Sequence, residues 1–143
     1  MPTKFKLLKV SGVKEEWEPI HKIRALEING KCPVNTFLER LKNANYGEYK
    51  KIFKVLKLIG SNDRIKNSNY VKPHKKHTGI YELVVKKGFS RISFFYYESI
   101  NSNIVCITPF RKEKDYKPRK QDLFFDRSAE IMDKFLTVAT HRR

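Results

Sequence analysis

Apolar and polar positions change their period three times along the chain. From Ile20 to Ile28, the residues Ile20, Ile23, Ala25, Leu26 and Ile28 fall near period two, which predicts a strand, and Asn29-Gly30 ends it with turn chemistry. Pro33 then suits the first turn of a helix, where its missing N–H leaves no bond unmade. Val34, Phe37, Leu38 and Leu41 follow at helical spacing and predict a short amphipathic helix. Asn43 to Gly47 breaks it, and Tyr49, Ile52, Phe53, Leu56 and Ile59 repeat the pattern in a second helix closed by Gly60. Two short helices so joined predict an antiparallel hairpin. Upstream, Lys4 to Val13 alternates weakly through Phe5, Leu7 and Val10, which fits either an extra strand or a loose N-terminal arm.

Ser61 to Thr78 is polar and predicts a surface connection, after which the period returns to two. Ile80 to Lys86, Arg91 to Tyr97 and Asn103 to Phe110 are β-rich runs separated by Lys87-Gly88 and by Ser99 to Ser102, which predicts an antiparallel meander. Pro118 marks the next start, and Phe124, Ser128, Ile131, Phe135 and Val138 form the seam of a C-terminal helix. The expected class is α+β, a small antiparallel sheet of the N-terminal strand plus the three-stranded meander, packed by two N-terminal helices and a C-terminal helix. The helices are expected on one face, with the other half open. Residues 1–19 are read as an N-terminal extension or arm, 20–140 as a single domain and 141–143 as a basic tail.

At 143 residues the chain fits one domain. Charge adds more: 31 Lys plus Arg against 15 Asp plus Glu leave a net +16, a field that concentrates polyanions and makes nucleic acid or an acidic protein the expected partner. No apolar run approaches the roughly 18–20 residues that cross a bilayer, and Met1-Pro2-Thr3-Lys4 leads into no apolar leader segment, so a cytoplasmic protein without membrane contact is expected. Cys32 and Cys106 are too few for a disulfide framework and read as reduced thiols. Lys50 to Lys57 falls on the wet face of the second helix, whereas Lys72-Pro73-His74-Lys75-Lys76-His77 and Arg111 to Lys120 are dense in loop-like sequence, where like charges need an anionic partner. Histidine is the residue type whose ordinary titration suits a general acid or base, which makes His74 and His77 candidates, but Pro73 and the lack of Cys, Asp or Glu nearby in sequence argue against a metal. Glycine-rich phosphate loops, nucleophile elbows and paired catalytic carboxylates are absent, which disfavours kinases, hydrolases and two-metal nucleases.

Ile80-Tyr81-Glu82-Leu83, then Phe89-Ser90-Arg91-Ile92-Ser93-Phe94-Phe95-Tyr96, then Ile104 to Lys112, then Lys117-Pro118 and a helix resemble, in order and spacing, the RelE/HigB superfamily of bacterial toxins, especially its phage-derived branch. The upstream strand, Asn29 to Val34 and Phe37-Leu38 with Leu41 extend the resemblance over roughly Ile20 to Leu136. Two features depart from it: Glu82-Leu83-Val84 stands where the family has Glu-Leu-Arg, and the segment before about residue 19 is extra.

The resemblance implies a toxin of a type II toxin-antitoxin system, an endoribonuclease without metal or cofactor that cuts mRNA, mostly on the ribosome. It also implies a cognate antitoxin of acidic or helix-turn-helix character. Such cleavage uses the substrate 2′-hydroxyl as nucleophile and needs a base, a charge stabiliser for the phosphorane and an acid. By position, Arg91 is carried over as the ligand of the scissile phosphate, and Arg111 and Lys112 as basic catalytic or phosphate-binding residues. Glu82 enters the set as the charge partner of Arg91, and Tyr116 as a proton donor or base-stacking ring. Lys72, His74, Lys75, Lys76 and His77 are candidates for the RNA backbone, joined by Lys86 and Lys114, and Phe95 and Tyr97 offer stacking if their face is open. Two alternatives stand beside this reading. One is a ParE-like toxin that binds DNA gyrase without cleaving, disfavoured by Arg111, Lys112 and Lys114; the other is a non-catalytic RNA-binding module, for which Val84 speaks.

Overall fold

The structure, a computed structural model, describes residues 3–85, 88–111 and 118–141. The elements run β1 (Phe5–Lys9), a single 3-10 turn (Glu15–Trp17), β2 (Lys22–Ile28), α1 (Pro33–Ala44), α2 (Tyr46–Gly60), β3 (Val71–Pro73), β4 (Tyr81–Val84), β5 (Ser90–Glu98), β6 (Ser102–Arg111) and α3 (Pro118–His141). Asn29 and Gly30 both take positive φ, 49° and 83°, and the flanking Ile28 and Lys31 exchange backbone hydrogen bonds of 2.7 and 3.0 Å. This is a tight two-residue turn that folds Lys31 back onto the end of β2 in a single bridge, just ahead of α1. Asn45 caps α2, its side chain accepting from the N–H of Glu48 at 3.1 Å.

The α+β class holds, with the sheet packed by two N-terminal helices and a C-terminal helix. The sheet itself is larger than expected, six strands in the order β1-β2-β6-β5-β4-β3, and it is mixed. β2 lies parallel to β6, Ile23 beside Ile104 and Ala25 beside Cys106. Of the two readings of the N-terminal segment, the strand is found: Phe5 to Lys9 pairs antiparallel with β2. The polar connection after Gly60 likewise contributes β3, since Val71 is fully buried opposite Leu83 and draws its neighbours into the ladder.

The helices do not share one face. Ile23, Ala25, Leu83, Ile92, Phe94, Ile104 and Cys106 form one core with α1 and α2, while Leu26, Phe95, Val105 and Ile107 turn to the other side and join Phe135 of α3. A strand such as β5, apolar on alternate positions of both kinds, must be covered on both faces. α3 thus closes the face expected to stand half open. Phe95 is buried with its ring 5.7 Å from that of Phe135, and Tyr97 meets Phe135 at 5.1 Å, so these rings are core rather than a platform for bases. Among the described residues no helix is long and apolar enough to cross a membrane.

Candidate functional site

The site begins at the sheet edge under α3. Lys72 of β3 stands opposite Glu82 of β4, and Glu82 opposite Ser93 of β5, a row on the α3 face. Ser128 of α3 donates from Oγ to the Ser93 Oγ at 2.8 Å and pins the helix across that row. About two turns towards the helix N-terminus, Gln121 Nε2 donates to Glu82 Oε2 at 3.3 Å. The gap left between helix and loop is an open cleft of about 460 Å³ lined by Lys72, Lys75, Lys76, His74, Glu82 and Gln121 among others.

The loop from His74 to Gly79 is folded on its own side chains. The N–H of His77 donates to Nδ1 of His74 at 3.1 Å, so the neutral His74 ring carries its proton on Nε2. That ring lies against Phe125 of α3 with centroids 4.1 Å apart and against the His77 ring at 5.1 Å. Burial holds its pKa below the ordinary histidine value, with the neighbouring His77 and Lys76 acting the same way and Asp122 and Asp126 opposing them. His74 is therefore kept neutral, a donor at Nε2.

His77 is tied to the helix. Its Nε2 lies 2.6 Å from Asp126 Oδ1, and Lys76 Nζ is 3.9 Å from the same oxygen. The hydrogen bond from His77, aided by the charge of Lys76, holds the Asp126 carboxyl below its usual range. An ionised carboxylate only accepts, which puts a proton on His77 Nε2 and, in the neutral ring, the lone pair on Nδ1.

Arg91 and Arg111 are not brought together. Arg91 NH1 donates to the carbonyls of Gly88 at 3.0 Å and Ser90 at 2.9 Å, and its Nε lies 3.6 Å from Glu82 Oε1. The Glu82 pairing is the one the sequence suggested, and it leaves the Arg91 side chain only 13% exposed. Arg111 points to the opposite face. Between the pairs Ile92 with Pro109 and Phe94 with Cys106, β6 carries one residue more than β5, and that bulge inverts the facing of everything beyond it. Phe110 consequently joins Phe124 under α3, while Arg111 comes within 3.7 Å of Glu48 Oε2 on α2. Glu48 is buried and accepts the N–H groups of Phe89 at 2.5 Å and Ser90 at 3.0 Å through Oε1. Lys86, Lys112, Lys114 and Tyr116 lie outside the described residues.

Sequence reasoning located the basic loop and Glu82 but missed Gln121, Phe125 and Asp126. Their only signal was position on α3 next to the Phe124 and Ser128 seam, which reads equally as a solvated helix flank. Among the described residues no group of three His, Cys, Asp or Glu is placed to hold a metal ion. Comparison with protein-family models, with curated proteins and with solved structures gives no match for this chain.

Proposed function

We propose that this protein is a metal-independent endoribonuclease that cleaves mRNA on the ribosome, the toxin of a type II toxin-antitoxin pair, as its resemblance to the RelE/HigB superfamily implies. The observation that carries the reading is the cleft in which a neutral His74, donating from Nε2, stands among Lys72, Lys75 and Lys76. Clustered cations and an N–H donor on one rim are what a phosphorane needs to spread its charge onto. The same cations, within a net charge of +16, attract the substrate backbone and afterwards an acidic segment of an antitoxin. Arg91 serves here as the counter-charge that holds Glu82, not as a direct phosphate ligand.

A second reading, a non-catalytic RNA-binding module, draws on that same engagement of Arg91, since two carbonyls take the N–H groups of NH1 and a carboxylate faces Nε. Inducible expression separates the two. Wild type should arrest growth and create new 5′ ends inside translated mRNAs, and the combined substitution Lys72→Gln, Lys75→Gln, Lys76→Gln should abolish both. Arrest with mRNA intact would overturn the nuclease reading and leave a binding target such as DNA gyrase.

A further inference from the structure

We propose that His77, next in the loop after the cleft-lining Lys76 and with its ring stacked on the cleft-lining His74, is the general base that serves this cleft, and Asp126 the residue that positions it. The proposal rests on the nuclease reading and adds to it a group, the Asp126 carboxylate, supplied from a helix 49 residues downstream.

The geometry is that of an oriented imidazole. The 2.6 Å bond from His77 Nε2 to Asp126 Oδ1 fixes both the ring and its tautomer. It leaves the lone pair on Nδ1, which has no hydrogen-bond partner among the described residues and is reached by solvent. The side chain is 24% exposed, against 44% for Asp126, so the base is partly sheltered and still accessible. His74 is unsuited to the same task. Its Nδ1 is already occupied by the His77 N–H, and its Nε2 bears the proton, so it has no lone pair to offer without breaking the loop. The two histidines thus divide the work by tautomer: His74 donates, His77 accepts. The charged and titratable groups shown against His77 and its partner are His74 and Lys76 on its own loop and Asp126 on α3, while Asp122 of α3 faces His74.

In the step, His77 Nδ1 takes the proton of the substrate 2′-hydroxyl and the 2′-oxygen forms a bond to phosphorus. The bond from phosphorus to O5′ breaks, O5′ takes a proton from water, and the imidazolium returns its proton to solvent. The products are a 2′,3′-cyclic phosphate and a 5′-hydroxyl. No electron donor or metal enters the balance.

The test is single-turnover cleavage by the full chain of a defined mRNA held on bacterial ribosomes, followed across pH, with the 3′ end of the product identified and RNA affinity measured separately. His77→Gln, which can still donate a hydrogen bond to Asp126, should lower the rate by at least about 100-fold with RNA affinity unchanged. Asp126→Asn lets its amide turn and donate, which selects the wrong tautomer. It should lose about 100-fold or more, with KM nearly constant and the acid limb of the rate profile moved to lower pH, and Asp126→Glu should recover part of the rate. A His77→Gln variant within about threefold of wild type would overturn the dyad and leave the nuclease reading standing. A loss in Asp126→Asn with an unmoved acid limb would reduce Asp126 to a structural tie and overturn its positioning role. Wild type that leaves the mRNA uncut would overturn both readings.

Discussion

Arg91 and Arg111 occupy adjacent register positions of the same ladder, Arg91 opposite Phe110 and Arg111 opposite Ser90, so their side chains leave the sheet on opposite faces. Each is the counter-charge of a buried carboxylate, Glu82 under α3 and Glu48 on α2. The two pairs differ in weight. Arg91 and Glu82 are 13% and 6% exposed, whereas the Arg111 side chain is 46% exposed and its charge is screened by water.

The first pair should therefore dominate stability. Arg91→Ala removes a counter-charge from a buried carboxylate and should cost on the order of 3 kcal/mol in urea unfolding, while Arg111→Ala should cost less than about 1 kcal/mol. Arg91→Ala combined with Glu82→Ala should cost clearly less than the sum of the two single changes, because each single change removes the same pairing. Additive losses would show that the pair is not coupled.

Glu48 holds the start of β5 by a different means. Its Oε1 accepts two backbone N–H groups, so Glu48→Ala leaves both without that acceptor and should cost about 2–3 kcal/mol. Gly88 is fitted against the same carboxylate: a Cβ there would stand 2.7 Å from Glu48 Oε1 and 2.8 Å from Val85 Cγ1. Val85 is itself buried, so neither neighbour yields easily, and Gly88→Ala should lower the unfolding midpoint as well. A Gly88→Ala protein as stable as wild type would show that this corner relaxes freely.

Local patterns were legible in the sequence because they need only near neighbours: the Asn29-Gly30 turn, the apolar faces of α1 and α2, and the alternation of β4 to β6. What stayed hidden is set by distant partners. β3 is too short and polar to announce itself, and it is a strand because Val71 finds Leu83. The bulge in β6 has no residue signature, yet it decides that Arg111 meets Glu48 rather than Arg91. Asp126 looks like any exposed helix acid until α3 is laid across the His77 loop.

Two histidines make the fold sensitive to mild acid. His21 is buried, its Nδ1 2.7 Å from Ser102 Oγ, and burial lowers its pKa against the opposing pull of the Asn62 carbonyl; His74 is lowered chiefly by burial too. A histidine whose folded pKa is depressed takes up its proton first in the unfolded chain. Its stabilising contribution is whole above the ordinary value of 6.5 and is lost as pH falls from there through the folded value. Asp126, also lowered, loses its contribution only below the ordinary carboxylate value of 3.8, outside this window. The thermal midpoint should fall between about pH 7.5 and about pH 5.5, and His21→Gln with His74→Gln should flatten that slope. An unchanged slope in the double variant would place the sensitivity elsewhere.

The last expectation concerns how RNA is held. Lys76 is 74% exposed and its contact with Asp126 is 3.9 Å long, a pairing too weak to withdraw its charge from a polyanion. Lys72 lies on the α3 face of β3 and Lys75 on the loop beside it, both lining the cleft. Each phosphate neutralised on a single strand contributes roughly 0.7 to the slope of log affinity against log salt. If these lysines take one phosphate each, replacing all of them by Gln should lower the slope magnitude by about 2 and weaken binding far more at about 50 mM than at about 200 mM salt. Replacing Lys50, Lys51 and Lys54 on α2, the other side of the sheet, removes as much charge from the wet face of that helix. Anisotropy titrations of a labelled single-stranded RNA separate a site from a general field. A drop in slope confined to the loop variant locates binding at the cleft, whereas equal drops in both would show that the RNA responds to net charge alone.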